Sequence, residues 1–529
     1  MDMRPTDGQS VSEWMATAKT SPHAPLTEDA KADVCIVGAG IAGMTAAYML
    51  TRQGKSVVVL DDGPVGGGET QRTTAHIANA LDERFFDLEK MHGKDGAKLA
   101  AESHTSAIDF IEHVVGSERI DCGFERLDGF LFLPAGESVE LLERERDAAS
   151  RAGLFGVQLL EKLPVDFFDF GPCLVFPHQA QFHPLLYLEG LSRAIAQGGG
   201  RICNETHVTK LKEGTPARVT VKNGATVEAD SVIIATNAPI NDGFPIYSNQ
   251  AGYRTFVIAA KIPHGSVFKA LYWDTPDPYH YIRIHETDDG DTLIVGGEDH
   301  KTGQANDANL RYHRLETWMR KHFPMAEAVL HQWSGQVMIA SDGMGLIGRY
   351  PADSPNVYIA TGDCGNGMTH GTIAGLLLPD LILGKKNPWE KLYAPSRFTR
   401  APRQYAKENL NVAKQFLDIV TKGSRMPEVR IPLDSGTVVR RGFKKIAVYR
   451  DEHGDLHEFS AFCPHKGCVV QWNSAEKSWD CPCHGSRFDC KGAVLNGPSI
   501  ENLHPTEQAS IPHSPKAPAS SMSGSGKNQ

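Results

Sequence analysis

Two short stretches near the carboxyl end carry the densest chemistry of the chain: Cys463-Pro464-His465-Lys466-Gly467-Cys468 and Cys481-Pro482-Cys483-His484-Gly485-Ser486. Each sets a thiol and an imidazole in a turn tightened by Pro and Gly, and thiolates and neutral imidazoles are ligands for iron, zinc and copper. The fifteen residues between His465 and Cys481 suffice for a strand and its return, which would bring the loops face to face. Cys463, His465, Cys481 and His484 then form one donor set. Such a set suits a [2Fe-2S] cluster with two Cys on one iron and two His on the other, or a four-coordinate structural zinc. Cys-x-His is an awkward zinc pair, so the cluster is the expectation.

A second constellation lies at the other end. Asp33-Val34-Cys35-Ile36-Val37 is nearly all apolar, as a buried parallel strand is. Gly38-Ala39-Gly40-Ile41-Ala42-Gly43 follows, then a helix over Met44 to Gln53, then a second apolar strand, Ser56 to Leu60, ending at Asp61. A strand, a glycine motif, a helix and an acid at a strand end make a dinucleotide site. Gly38, Gly40 and Gly43 let backbone amides at the helix start approach a pyrophosphate, and Asp61, with Asp62 beside it, can take ribose hydroxyls. A related pattern recurs far along the chain: Val357 to Gly362 reads as a strand, Asp363 to Gly371 as a glycine-rich turn, and a helix continues to Leu378.

These sites need several bodies to hold them. At 529 residues the chain exceeds what one core supports, and two or three domains are expected. It is 41% apolar and 22% charged, with a net charge of -10, which suits a soluble, mildly acidic enzyme. No basic run with interleaved aromatics points to nucleic acid. No stretch approaches the roughly 20 apolar residues of a membrane span, and Met1 to Ala32 lack an apolar signal core, so a cytoplasmic location is expected. Five of the ten cysteines crowd between Cys463 and Cys490, which fits a metal site better than a distributed disulfide framework. Gln404 to Lys422 favours an amphipathic helix, and the tail beyond Pro512 is too poor in apolar residues to fold.

The cysteine and histidine loops resemble those of Rieske [2Fe-2S] domains, over residues 428–512. That resemblance implies Cys463, His465, Cys481 and His484 as cluster ligands and a disulfide between Cys468 and Cys483. It also gives Ser486 a hydroxyl bonded to a cluster sulfur. Phe488 stands where respiratory relatives have a tyrosine, which implies a lower potential than theirs.

The two glycine turns resemble those of the D-amino-acid oxidase and glycine oxidase (DAO) family of FAD enzymes, over about residues 30–395. The family resemblance implies an α/β, Rossmann-type FAD domain with a mixed-sheet substrate domain, followed here by a small all-β Rieske domain. The expected division is an extension at 1–31, read as loosely packed, an oxidoreductase at 32–400 with substrate residues 245–335, a linker helix at 401–427, the Rieske domain at 428–512 and a disordered tail at 513–529. FAD is expected to be non-covalent, since His76 does not align with the position that carries it in some relatives and reads as a helix-face histidine. Its implied contacts are Arg72, Thr73 and Thr74 along the pyrophosphate and ring, Val208 near the adenine, and Gly365, Gly367, Met368 and Thr369 at the flavin.

In Trp333-Ser334-Gly335-Gln336-Val337, Val337 replaces the arginine that anchors a substrate carboxylate in amino-acid-oxidising relatives. Arg254, Tyr281 and Arg283 are the candidate substitutes. The implied function is a dehydrogenase of an amine, amino acid or similar small molecule. It passes electrons from FAD to the cluster and on to an external ferredoxin, cytochrome or quinone-type acceptor. An NAD(P)H-driven reductase or a redox-sensing or assembly module is the alternative.

Overall fold

The structure, a computed structural model, describes residues 8–506 except 135, 169, 241–244, 288–289, 352–353, 398–401 and 422–429. The expected tail at 513–529 and the end of the linker lie outside the described residues. Strand Ala30–Val37 runs parallel to Val57–Leu60 on one side and to Thr226–Ile234 on the other. Their inner residues are almost all apolar and buried, as strands covered on both faces must be. Among the described residues this sheet has eight strands, with Val357–Thr361 beside Thr226–Ile234.

Helix Ile41–Arg52 leaves the first glycine turn and Gly367–Ile382 the second, and the two pack together. Their approach depends on Gly375, where a Cβ would stand 2.3 Å from the Thr45 side chain. Gly43 serves the turn itself, because a Cβ there would meet the Gly38 carbonyl oxygen at 1.9 Å.

The second sheet has nine strands among the described residues. Gln250–Ile262, Leu271–Asp274, His280–Thr287, Gly290–Lys301 and Val329–Ala340 come from the expected substrate region or just past it. Glu125–Phe132, Cys173–Gln181, Gln158–Leu160 and His76–Ile77 complete it. The substrate layer is therefore not one inserted segment: Leu271–Asp274 pairs in parallel with Glu125–Phe132 and ties it to earlier chain. His76 lies in a short strand paired with Cys173–Gln181, not on a helix face.

A carboxyl-terminal domain of short antiparallel strands, Ser435 to Asn496, stands on the second sheet, its core built around Trp472, Trp479 and Phe488. Helix Pro402–Thr421 joins them, with Glu408 paired to Lys301 and Asn409 donating to the Ser248 carbonyl at 2.9 Å. The amino-terminal extension, expected to be loose, is packed from residue 8. Helix Glu13–Thr17 buries Trp14 completely, and the Trp14 indole donates to the Thr73 carbonyl at 2.6 Å. No described helix is long and apolar enough to cross a membrane.

A Gly43→Ala substitution tests the packing of the first turn. It is expected to cost about 1–3 kcal/mol by overpacking and to lower the thermal midpoint of the protein; an unchanged midpoint would show that the turn yields to a Cβ.

Candidate functional site

A cavity of about 440 Å³ lies between the two sheets, lined by both glycine turns. Gly38, Gly40, Asp61 and Asp62 enter it from the first turn and Gly365, Gly367 and Met368 from the second, with Arg72, Thr73, Thr74 and Val208 along its length. Two expected contacts stand elsewhere. Gly43 is packed behind the turn, and the Thr369 hydroxyl turns away to His104 Nδ1 at 2.7 Å.

The walls fit a dinucleotide. Gly38 has φ +106°, and a Cβ there would lie 2.3 Å from the Ala235 carbonyl, so the backbone itself forms the cradle. Asp61 accepts N–H bonds from Ala39 (2.6 Å) and Gly63 (2.8 Å), which fixes it at the strand end with lone pairs left for hydroxyls. Burial, and then Asp62 beside it, push its carboxyl up to about 7.

The opposite end of the cavity is acidic and aromatic. Asp82, Glu83, Asp299 and Asp363 open onto it together with Tyr279 and Tyr281. The Tyr279 hydroxyl donates to Asp82 at 3.2 Å, Tyr281 shares a hydrogen bond with Thr255 at 2.5 Å, and the two rings are 5.5 Å apart. Asp299 Oδ1 is shielded and has no hydrogen-bond partner among the described residues. Burial raises the Asp299 and Asp363 carboxyls to about 7 each, and the charge of Asp82 adds to both shifts. His370, also on the wall, is held neutral, its pKa lowered to about 4 chiefly by burial.

The two loops expected to bind metal do meet. Cys463 and Cys481 are buried side by side, and the imidazoles of His465 and His484 lie 5.0 Å apart at 83°. Backbone N–H groups of His465 and Lys466 point at Cys463, and those of Cys483 and His484 at Cys481, an arrangement that stabilises bound thiolates. Cys468 and Cys483 form a disulfide with Cα atoms 6.4 Å apart, tying the loops. Ser486 lies against Cys463 and accepts the Ser499 N–H at 3.1 Å. The donor chemistry fits the two-Cys, two-His set of an iron–sulfur centre.

Both histidines face the oxidoreductase sheet. Tyr247 packs on His465 at 4.7 Å and on His484 at 5.7 Å. Gln336, on the cavity wall, donates from Nε2 to the Gly485 carbonyl at 3.0 Å, and its backbone N–H donates to Glu69 at 2.6 Å.

Beside this contact, Glu476 of the carboxyl-terminal domain is wholly buried. It lies 3.6 Å from Arg72 and 3.4 Å from Arg254, and it accepts from Ser334 and from Ser10 N and Oγ. Burial alone would raise its pKa, but Arg72, Arg254 and Arg487 overcome that and lower it to about 2.

The arginines expected at the substrate are thereby reassigned. Arg254 serves the domain contact, and Arg72, although on the wall, turns its guanidinium to Ser10, the Ser334 carbonyl and Glu476. Arg283 donates to the carbonyls of Thr74, Ala75 and Phe182 and lies over Trp14. Neither Arg254 nor Arg283 lines the cavity; Tyr281 does. Asp82, Asp299, Gln336 and Glu476 carry no local sequence signal, since each acquires meaning only from partners distant in the chain.

The profile of FAD dependent oxidoreductases (DAO) matches residues 33–381, and that of the Rieske [2Fe-2S] domain matches residues 426–510. The chain belongs to the DAO family. It is an FAD-dependent oxidoreductase with a Rieske domain, and its cofactors are FAD and a [2Fe-2S] cluster.

A Bacillus subtilis (strain 168) protein, "Putative Rieske 2Fe-2S iron-sulfur protein YhfW", is 32% identical over 497 residues, covering 93% of this chain and 96% of that one. The gamma-glutamylputrescine oxidoreductase of Escherichia coli K12 is 26% identical, over 69% of this chain and 87% of its own. Among solved structures, glycine oxidase from Geobacillus kaustophilus shares the fold with a TM-score of 0.59 at 18% identity, over 70% of this chain and 99% of its own.

Because Glu476 is an acid with a lowered native pKa, its stabilisation is present above its ordinary value of 4.5 and is lost as pH falls towards about 2. The 2.5-unit difference is worth about 3 kcal/mol. Acid titration of the wild type should therefore lose stability across pH 4.5 to 2, and Glu476→Gln should flatten that step. An equal slope in both proteins would contradict the assignment.

Proposed function

We propose that this oxidoreductase acts on a small amine at a CH–NH or CH–NH₂ bond, with electrons leaving through the Rieske cluster to an external one-electron carrier. The observation that carries the substrate class is the end of the cavity at Asp82, Asp299, Tyr279 and Tyr281. A shielded carboxylate oxygen without a partner, flanked by two tyrosine rings, suits an ammonium group, which pairs with carboxylates and sits well over aromatic faces. A carboxylate substrate would meet the same acids as like charges. Val337 lines this cavity and offers no counter-charge, and the nearby guanidiniums are engaged elsewhere. The E. coli relative, a gamma-glutamylputrescine oxidoreductase, bears the name of an amine, which supports this reading.

Bound in the cavity, FAD would supply acceptance of a hydride from the C–H bond next to nitrogen, and a [2Fe-2S] centre held by Cys463, His465, Cys481 and His484 would supply one-electron transfer onward. The protein's part in that relay is placement. Gln336 touches the cavity with one face and the cluster loop with its amide, while Tyr247 lies against both cluster histidines. These contacts support transfer between the centres within one chain. The outside acceptor then belongs to the ferredoxin, cytochrome or quinone class.

Asp299 also sets a pH dependence. Its pKa is raised to about 7, so the charged form that holds an ammonium predominates only above that value. Under anaerobic mixing with a panel of amines and α-amino acids, flavin bleaching should favour amines, with kcat/KM rising as pH passes through about 7. Asp299→Asn should remove that limb and raise KM by about 10–100-fold, the worth of a charged hydrogen bond. Preferential bleaching by α-amino acids with a free carboxylate would refute the amine reading.

The relay has its own test. Gln336→Leu should slow cluster reduction after flavin reduction, seen by rapid-freeze EPR, while Gln336→Glu, which keeps the length, restores part of the rate only if its carboxyl is protonated and donates. Equal rates in all three proteins would remove Gln336 from the path.

A further inference from the structure

We propose that the Rieske domain is a wall of the FAD site: its Val494–Ile500 segment closes the cavity at the ribose and pyrophosphate end, and the buried Glu476 contact is the latch that keeps it closed. The inference rests on the dinucleotide cavity and not on the substrate class proposed above. Asn496, Gly497, Ser499 and Ile500, more than 430 residues after the first glycine turn, line the same cavity as Gly38 and Asp61.

Three contacts seat the segment. The Asn496 side-chain amide donates to Glu69 Oε1 at 3.2 Å. His207 spans the seam, with Nε2 donating to the Ile500 carbonyl at 3.0 Å and Nδ1 against Asp62 at 3.2 Å. Gly497 lies so close to Ala238 that a Cβ would stand 3.1 Å from its carbonyl oxygen. Asp62, His207 and Val208 mark the end where the ribose acid stands, so the segment covers the dinucleotide there and not at the acidic substrate end.

Asn496 lines this space, and its Oδ1 is shielded from solvent and has no hydrogen-bond partner among the described residues. An unsatisfied buried acceptor costs free energy, and the hydroxyl or amino donors of a bound dinucleotide would satisfy it. We assign Asn496 as an FAD-binding residue supplied by the Rieske domain.

The latch sits behind the wall. Glu476 holds Arg72 and Ser10 of the oxidoreductase half together with Arg254 and Ser334 of the second sheet. Removing one partner of a buried charge cluster is costly, so the domain docks in one position. FAD enclosed by two domains can leave only when they part. By linkage, docking tightens FAD by the factor with which FAD tightens docking.

The test uses the full-length holoprotein. FAD release is followed by flavin fluorescence after dilution, and visible circular dichroism of the cluster is recorded on the same sample. Asn496→Ala and Glu476→Gln should each release FAD at least about ten-fold faster, the loss expected for a buried hydrogen bond, with the cluster signal retained. Should Glu476→Gln lose its cluster, Asn496→Ala decides alone, since the Asn496 side-chain amide donates to Glu69 and not to Glu476. Release within two-fold of the wild type by Asn496→Ala, with the cluster intact, overturns the proposal. A protease-sensitivity measurement gives the reciprocal reading: removal of FAD should speed cleavage between the domains, and an unchanged rate overturns the linkage.

Discussion

Burying Glu476 constrains the whole molecule. A carboxylate taken out of water loses several kcal/mol of hydration, and the loss is offset only where counter-charges and hydrogen bonds converge on it. Here they come from five separate pieces of chain: Ser10 of the extension, Arg72 of the segment along the cavity, Arg254 and Ser334 from two strands of the second sheet, and Arg487 of the Rieske domain itself. No one of these can move without leaving another charge buried and uncompensated. The extension, the cavity wall and the cluster domain are therefore fixed relative to one another, and the contacts of Gln336 with Gly485 and of Tyr247 with the histidines follow from that geometry.

Strand Val329–Ala340 shows how one element serves both sides of this contact. Successive side chains of a strand point to opposite faces. Ser334 and Gln336 reach Glu476 and Gly485 of the Rieske domain, while Gly335, Val337 and Ile339 line the cavity. The alternation lets a single strand carry the cavity wall on one face and the domain seam on the other, with Gln336 reaching both. It also explains why Val337, the position read as a lost carboxylate anchor, has no bearing on the seam, whereas its neighbour Gln336 bridges the two sites.

How much of this the sequence revealed depended on range. The glycine turns, the strand-end acid and the Cys and His loops are local patterns, and Gly38, Asp61, Gly365, Cys463 and His484 all stand where local geometry puts them. Thr369 was misplaced because one residue of helical rotation turns its hydroxyl to His104. Arg254 and Arg283 read as substrate groups because an arginine on a strand near a cavity has no stated partner in sequence. Their partners, Glu476 and the carbonyls of residues 74, 75 and 182, lie about 100 to 220 residues away. The extension looked loose for the same reason, since Trp14 is anchored by Thr73 and by the ring of His183.

The acidic end of the cavity gains its meaning from proton balance. An alkyl ammonium in water holds its proton to about pH 10, as lysine does, yet only the neutral amine has the lone pair that assists oxidation of its C–H bond. Burial lowers an amine's pKa and raises a carboxyl's, so enclosing both brings the two values together. On the amine reading proposed above, Asp299, already raised to about 7, would bind the cation and then take its proton. Burial pushes the Tyr279 and Tyr281 hydroxyls well above their ordinary range, so both stay neutral beside it. The same burial acts on Glu476 at the domain seam and on Asp299 in the cavity, yet the first is lowered to about 2 and the second raised to about 7. The difference is the partner: Glu476 has the guanidiniums of Arg72, Arg254 and Arg487 around it, and Asp299 Oδ1 is shielded with no hydrogen-bond partner among the described residues.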